Sequence, residues 1–490
     1  MNLRPSAARQ ERAIFSGPSG PRLLRCLILA VTAAVAGCGA SEDPTNVSVV
    51  IDATVRHQTL AGFGAATAYQ PNLLSARNDD IFQVLFVDSG LDILRLGNWY
   101  QNQGQNTTPS SPFTDQVAVQ IVQKATAARG GTPPKILMSS WTPPAYLKSN
   151  GVTVTGYGNT TLPAGTLIQK DGAYAYADFG DWWARALQAY AAQGIVPDYV
   201  SIQNEPDFFT NYWETCVFGA TEGATVEGIP AAGYGRALDA VHGAIQAAGL
   251  ASPPVLLGPE TTGFTDHVVQ RYMNGLDPAQ IGGVAHHLYG VPGDNPNPDS
   301  YNGAMGDVGR TATAVGLPTF MTEYSPNAPT MFDTALLINN AMTVENASAY
   351  IYWELIWNNA DPQTGLVSVP RGPSAAPYTI NDIYYALKHF ARWTDPDWVR
   401  VDAKSSAGSV RASAYLSPDG ASVTLVVLNS DDKDHFVTVN PGTFPFGTLA
   451  VYRSSDGGAG GSERATVVAP EGDGSIALPP RSLATLTFTP

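Results

Sequence analysis

Three cysteines among 490 residues are too few for a disulfide-stapled scaffold, and their positions thin the count further. Cys26 and Cys38 sit near the N-terminus, which leaves Cys216 as the one thiol of the remaining chain. That part must draw its stability from a packed core, which a chain of this length can supply. Charge is scarce as well. Only 14% of residues are Asp, Glu, Lys or Arg, a composition that argues against disorder. Basic residues are the scarcer kind, 27 against 42 acidic, for a net charge of −15. Such a surface repels polyanions, so no nucleic acid partner is expected. The signatures of several enzyme classes are also missing. There is no H-E-x-x-H and no G-x-S-x-G, and "GFGAAT" places Thr67 where a dinucleotide fingerprint needs its third glycine. His286 and His287 are neighbours on a strand pattern and face opposite ways, so they cannot hold one ion together. Neither a metal nor another cofactor is expected.

The apolar run "CLILAVTAAVAGC" is too short to span a bilayer as a stable helix. Arg22 and Arg25 precede it, and it ends in Val35-Ala36-Gly37-Cys38. The arrangement resembles a bacterial lipoprotein signal. Residues 1–37 are expected to be removed, Cys38 to carry lipid, and residues 38–45 to form a polar tether. The product would be exported and held at the outer membrane or cell surface through that lipid. Loss of five arginines and one glutamate moves the net charge to about −19, which suits a neutral or weakly charged substrate.

Between residues 59 and 395, eight short apolar runs recur: "LAGFGAA", "LDILRLG", "KILMSSW", "YVSIQNE", "PVLLGPE", "GGVAHHLY", "PTFMTE" and "SAYIYWE". Most are separated by stretches of helical period. Val117, Ile121, Val122 and Ala125 follow the second run; Tyr176, Phe179, Trp183, Leu187 and Tyr190 follow the third. The aromatics of that second set read as the buried face of an outer helix. Eight strands alternating with helices predict an α/β fold, a (β/α)8 TIM barrel. From 396 to 490 the pattern turns to strands alone, opening with "SVRASAYLSPDGASVTLVVLN", whose two halves flank a Ser-Pro-Asp-Gly turn. This predicts an attached β-sandwich, which a strand at 46–58 is expected to complete.

Barrels of this kind carry their chemistry at the C-terminal strand ends. In "VSIQNEPDF" a buried strand from Val200 to Gln203 runs into Asn204, Glu205 and Pro206, and "TFMTEYSP" ends the seventh run at Glu323. The other strand ends supply Trp141, Glu260, His287, Tyr289, Trp353 and Glu354. A strand-end glutamate taken singly is more often a cap or half of an ion pair. Two of them across a pocket lined by Trp141, Tyr289, Trp353 and Trp357 suit glycoside hydrolysis, in which one acid protonates the leaving oxygen and the other attacks or activates water.

"GFGAA", "SSWTPPAYLKSNG", "SIQNEPD", "HHLYG", "YYALKHFARW" and "LPPRSLATLTF" together resemble glycoside hydrolase family 30 over nearly the whole of residues 38–490. The resemblance implies a retaining mechanism, with Glu205 as general acid/base and Glu323 as nucleophile. It also implies sugar or site contacts for Asn204, Arg95, Trp141, His287, Tyr289 and Trp353, with Trp357 beside them. The two carboxyl groups are expected ~5–5.5 Å apart. The expected partner is a poly- or oligosaccharide, and the chain is expected to act as a monomer. "WTPPAYLKSNG" points toward the bacterial xylanase branch, hence endo-β-1,4-xylanase activity. β-1,6-Glucanase, galactanase and exo-β-glycosidase activities stand as alternatives, and a glycan-binding lipoprotein without turnover as a rival of another class. Glucuronoxylan-specific members carry an arginine after the eighth run that grips uronic acid side groups; here "YWELIWNNADPQTG" puts Trp357 near that place, and Arg371 in the following loop is either a substitute or, as favoured, the partner of a surface acid.

Overall fold

The computed structural model describes residues 45–490 apart from 101–115, 157–160, 294–295, 328–329, 359–363, 373–376, 443, 445–447, 457–461 and 490. The leader and Cys38 fall outside these residues. Strand β1 (Asn46–Thr59) precedes eight parallel strands: β2 (Gly62–Ala66), β3 (Ile93–Gly97), β4 (Lys135–Ser139), β5 (Tyr199–Ser201), β6 (Val255–Gly263), β7 (Gly283–Tyr289), β8 (Thr319–Glu323) and β9 (Ala347–Tyr352). Strands β2 to β9 close into a barrel in sequence order, with β9 pairing back onto β2. The barrel expected from the eight apolar runs is therefore present. Its strands read as unbroken apolar runs because both faces are covered, the inner by one another and the outer by helices.

Those helices include α1 (Gln116–Ala128), α2 (Tyr176–Ala191), α3 (Tyr234–Ala247), α4 (Asn302–Ala314), α5 (Met331–Asn340) and α6 (Asp382–Ala391). In α2 the residues Phe179, Trp182, Trp183, Leu187 and Tyr190 are buried against the barrel. Their spacing is that of a core face, as the sequence pattern indicates.

Alternation along the strands determines what reaches the barrel mouth. Ile93, Leu137, Leu257, Ala285, Phe320, Ala349 and Ile351 pack into one internal layer. Two residues further along the same faces stand Arg95, Ser139 and His287. Two strands depart from this rule. Met321 pairs with His286, yet Glu323 pairs with His287, so one extra residue intervenes on β8. On β6, Pro259 pairs with Ala285 and Thr261 with His286, which makes Glu260 the extra residue. Irregularities of this kind re-aim a side chain. The fourth barrel strand also ends sooner than expected. Its ladder stops at Ser201, because beyond it the backbone turns toward other partners: Asn204 N–H donates to the Ser140 carbonyl at 2.7 Å and Glu205 N–H to that of Glu260 at 3.0 Å.

Apart from two-residue strands in the loops, the strands that follow the barrel are β10 (Val399–Ser405), β11 (Val410–Leu416), β12 (Val423–Asn429), β13 (His435–Asn440), β14 (Thr448–Ser455), β15 (Glu463–Val468), β16 (Ile476–Leu478) and β17 (Ser482–Thr489). With β1 they form a nine-stranded sheet. Residues from both ends of that strand order, including Val451, Leu486, Val49 and Ile476, share one core, so the sheet folds over on itself as a sandwich. β12 is buried on both faces. Val423, Leu425 and Val427 enter the sandwich core, whereas Val426 and Leu428 join the core of the barrel. Across this seam the His389 ring of α6 lies between the hydroxyls of Thr485 and Ser454, at 2.8 and 2.7 Å.

Candidate active site

Arg95 is the hub of the barrel mouth. Wholly buried, its guanidinium donates to Glu323 Oε2 at 2.7 Å, to Asn204 Oδ1 at 2.6 Å and to Ser139 Oγ at 3.3 Å. It also pairs with Glu260 Oε1 at 3.2 Å. The Trp141 ring covers it, 4.7 Å from ring centre to guanidinium carbon. One side chain thereby fixes Glu323, Asn204 and Glu260 together. The second oxygen of Glu323 accepts from the Tyr289 hydroxyl at 3.1 Å.

Glu205 stands across from Glu323. Its φ of +48° is in the left-handed region, a conformation that costs a non-glycine residue of order 1–3 kcal/mol. Its carboxyl meets His287 Nδ1 at 3.1 Å. The other ring nitrogen of His287 is 3.9 Å from Glu260 Oε1. One ligand atom from each of Glu205, His287 and Glu323 lies within 4.8 Å of the others. That clustering places a Glu205 oxygen close to a Glu323 oxygen, on the near side of the separation expected for direct attack.

Charge determines how protons are shared here. Three carboxyls (Glu205, Glu260, Glu323) face two cations (Arg95, His287). Burial opposes the ionised form of Glu260, but Arg95 and His287 outweigh it and hold the group down to about 2. Burial would discharge His287, yet Glu323, Glu205 and Glu260 push it up to about 9. The group is neutral overall when one carboxyl keeps its proton. Glu205, raised to about 7 by burial and by the charge of Glu323, is the one that keeps it.

Around this centre Trp141, Trp353, Trp99 and Tyr69 form a cluster of rings. Trp141 lies 5.7 Å from Trp99 and 5.9 Å from Trp353, and Tyr69 touches all three at 5.7–5.9 Å. Tyr69 is held from behind by Glu354, whose Oε1 accepts from its backbone N–H at 2.9 Å. Burial raises the Glu354 carboxyl well above its ordinary value.

Among the residues singled out from sequence, Glu205, Glu323, Asn204, Arg95, Trp141, Tyr289 and Trp353 meet at this mouth. His287 is there too, fully buried, with its Nδ1 against the Glu205 carboxyl. Trp357 is half-buried on a two-residue strand (Ile356–Trp357) and makes no ring contact with this cluster among the described residues, and Arg371 is exposed in a turn. Glu260, Glu354, Tyr69 and Trp99 are additions from the structure. The first two end apolar runs and were visible as strand-end acids; Tyr69 and Trp99 carry no signal in the sequence. Cys216 is buried, and burial pushes its thiol up to about 12, so it is inert packing.

Residues 399–486 match the glycosyl hydrolase family 30 beta sandwich domain. The endo-1,6-beta-D-glucanase neg1 of Aspergillus fumigatus is 25% identical, over 84% of this chain and 86% of its own. The glucuronoxylanase XynC of Bacillus subtilis is 23% identical over 81% of each. In fold, the catalytic domain of the GH30 xylanase C from Talaromyces cellulolyticus superposes with a TM-score of 0.70 at 19% identity, over 90% of this chain and all of that one. The C-terminal lobe thus matches the family 30 sandwich, and most of the chain is similar in sequence to glycoside hydrolases of both β-1,6-glucan and glucuronoxylan type.

Proposed function

We propose that this glycoside hydrolase cuts a β-linked polysaccharide by double displacement with retention, using Glu323 as nucleophile and Glu205 as acid/base. The observation that carries the reading is the proximity of the two carboxyls, within 4.8 Å, in opposite surroundings. Glu323 faces two donors, the Arg95 guanidinium and the Tyr289 hydroxyl. Glu205, desolvated and raised to about 7, retains a proton for the leaving oxygen while its other oxygen accepts from His287. In the first step Glu323 attacks the anomeric carbon as Glu205 protonates the departing sugar. The bond to sugar removes the charge of Glu323. The two cations are then balanced by Glu260 and an ionised Glu205, so the pKa of Glu205 falls and it takes a proton from the incoming water. Asn204, whose Oδ1 accepts from Arg95, is assigned in this reading to the hydroxyl next to the anomeric carbon.

The leading substrate is xylan, cut internally, on the strength of the "WTPPAYLKSNG" stretch. A second reading, β-1,6-glucan, is favoured by the Aspergillus relative at 25% identity. Export as a lipoprotein through Cys38 belongs to the same proposal. The test is hydrolysis of xylan and of β-1,6-glucan followed by proton NMR from the first turnover. A β-anomer appearing first supports retention; an initial α-anomer, or no cleavage of either polymer or of aryl β-glycosides, overturns the reading.

A further inference from the structure

Glu214 has no part in the mechanism above, yet it is joined to the site. Its Oε2 accepts from the Tyr69 hydroxyl at 3.1 Å, and Tyr69 is the ring that touches Trp99, Trp141 and Trp353 at once. The pair is rigidly held at both ends. Glu354 fixes the Tyr69 backbone, and the buried ammonium of Lys148 donates to the carbonyls of Thr153 and Thr215, the latter next to Glu214. Glu214 is half-buried, and its nearby cation Lys148 feels its charge but directs its hydrogen bonds to the two backbone carbonyls. Its segment also carries a row of rings, Phe208, Trp213 and Tyr212, with centres 6.4 and 6.5 Å apart and Tyr212 80% exposed.

We infer that Tyr69 and Glu214 form the recognition wall of the glycone side of the cleft, selecting a neutral sugar through its hydroxyls and rejecting one that carries a uronic acid. This rests on the retaining reading, since the glycone is the sugar held against Glu323. The chemistry is that of an acceptor whose nearby cation, Lys148, hydrogen-bonds backbone carbonyls instead of the carboxylate. A sugar hydroxyl can donate to the free lone pairs of Glu214 or to the Tyr69 oxygen, whereas a carboxylate brought to the same place meets like charge and acceptors only, in a partly desolvated rim. The site thus favours unsubstituted backbone, whichever neutral polymer supplies it, and the rings at 208–213 offer faces for sugars further along.

The experiment compares wild type with Glu214→Gln and Tyr69→Phe on linear xylo-oligosaccharides, on the same oligosaccharides bearing a methylglucuronosyl group on the glycone residue, and on linear β-1,6-gluco-oligosaccharides. Wild type is expected to favour the neutral member of the xylo pair. Glu214→Gln should raise KM for the neutral substrates about tenfold with little change in kcat, and shift the neutral-to-uronyl ratio of kcat/KM by at least about tenfold toward the uronyl substrate. Tyr69→Phe keeps the ring cluster and should move KM the same way by less. A ratio unchanged in Glu214→Gln, or a wild type that prefers the uronyl substrate, overturns the inference while leaving the retaining reading intact. A wild type inactive on all three, with aryl β-glycosides also uncut, overturns that reading instead.

Discussion

Replacing Glu323 with glutamine should lower the pKa of Glu205, because the substitution imitates the loss of charge that follows glycosylation in the proposed mechanism. The magnitude can be bounded from the structure. Oxygens of the two groups lie within 4.8 Å. At an effective dielectric constant of about 20, unit charges at that distance repel by about 3.5 kcal/mol, equivalent to about 2.5 pH units. The full amount will not be recovered, since burial is the larger cause of the raised value of about 7 and remains in the variant, and since His287 stays as a partner. A fall of about 1–2 units is therefore expected. The assay is titration of the Glu205 carboxyl by 13C NMR in protein labelled at the glutamate side-chain carboxyl, with Glu205→Gln identifying the resonance. An unchanged or higher pKa in Glu323→Gln would refute the coupling on which the two-step proton transfer depends.

Glu260→Gln leaves Arg95 and His287 with one counter-charge fewer. Glu205 should then ionise more readily, moving the alkaline limb of the kcat/KM profile to lower pH, and denaturant unfolding should register a loss of about 3 kcal/mol; an unmoved limb would contradict the charge count. His389 offers a test of stability. Burial lowers its pKa from 6.5 to about 3, so the folded form refuses a proton that the unfolded chain accepts. Stability is full above pH 6.5 and is lost as pH falls from there toward 3, by about 2.7 kcal/mol at pH 4.5. Urea unfolding of wild type and His389→Gln at pH 7.5 and 4.5 should show that part of the acid sensitivity missing from the variant. Cys38→Ser should move the protein from the membrane to the soluble exported fraction; a fraction unchanged from wild type would count against lipid anchoring.

Much of the architecture is legible in the sequence, for a physical reason. A parallel barrel covers both faces of each strand, and runs such as "ILRLG" and "SAYIYWE" record this directly. Glu205 and Glu323 stand out because a charge at the end of such a run is conspicuous. Glu260 ends a similar run, but which way it points depends on its φ of +58° and on the extra residue in β6, and alternation along a sequence reveals neither. His287 was visible but not its task, since only the fold places it against Glu205. Tyr69 and Glu214 are far apart in the chain and unremarkable in their own segments; their hydrogen bond exists only because the loops after the first and fourth barrel strands converge. The early end of β5 has the same origin, in partners supplied by Ser140 and Glu260.

Strand β1, the first strand described, is built into the C-terminal lobe. Val49 pairs with Ser405 and Val47 with Val437, roughly 350–390 residues later, so β1 emerges during synthesis long before either neighbour exists. At ~5–20 residues per second its backbone waits for about 20–80 s with both edges open, carrying Val47, Val49 and Ile51 that are destined for a core not yet made. A free edge of that kind invites pairing with another chain. The alternating exposed positions of β1, Ser48, Val50 and Asp52, moderate the hazard only in part. Assembly of this protein therefore has a late committed step, the capture of β1 between β10 and β13. Conditions that delay the C-terminal lobe should send the chain to aggregates before they touch the finished enzyme.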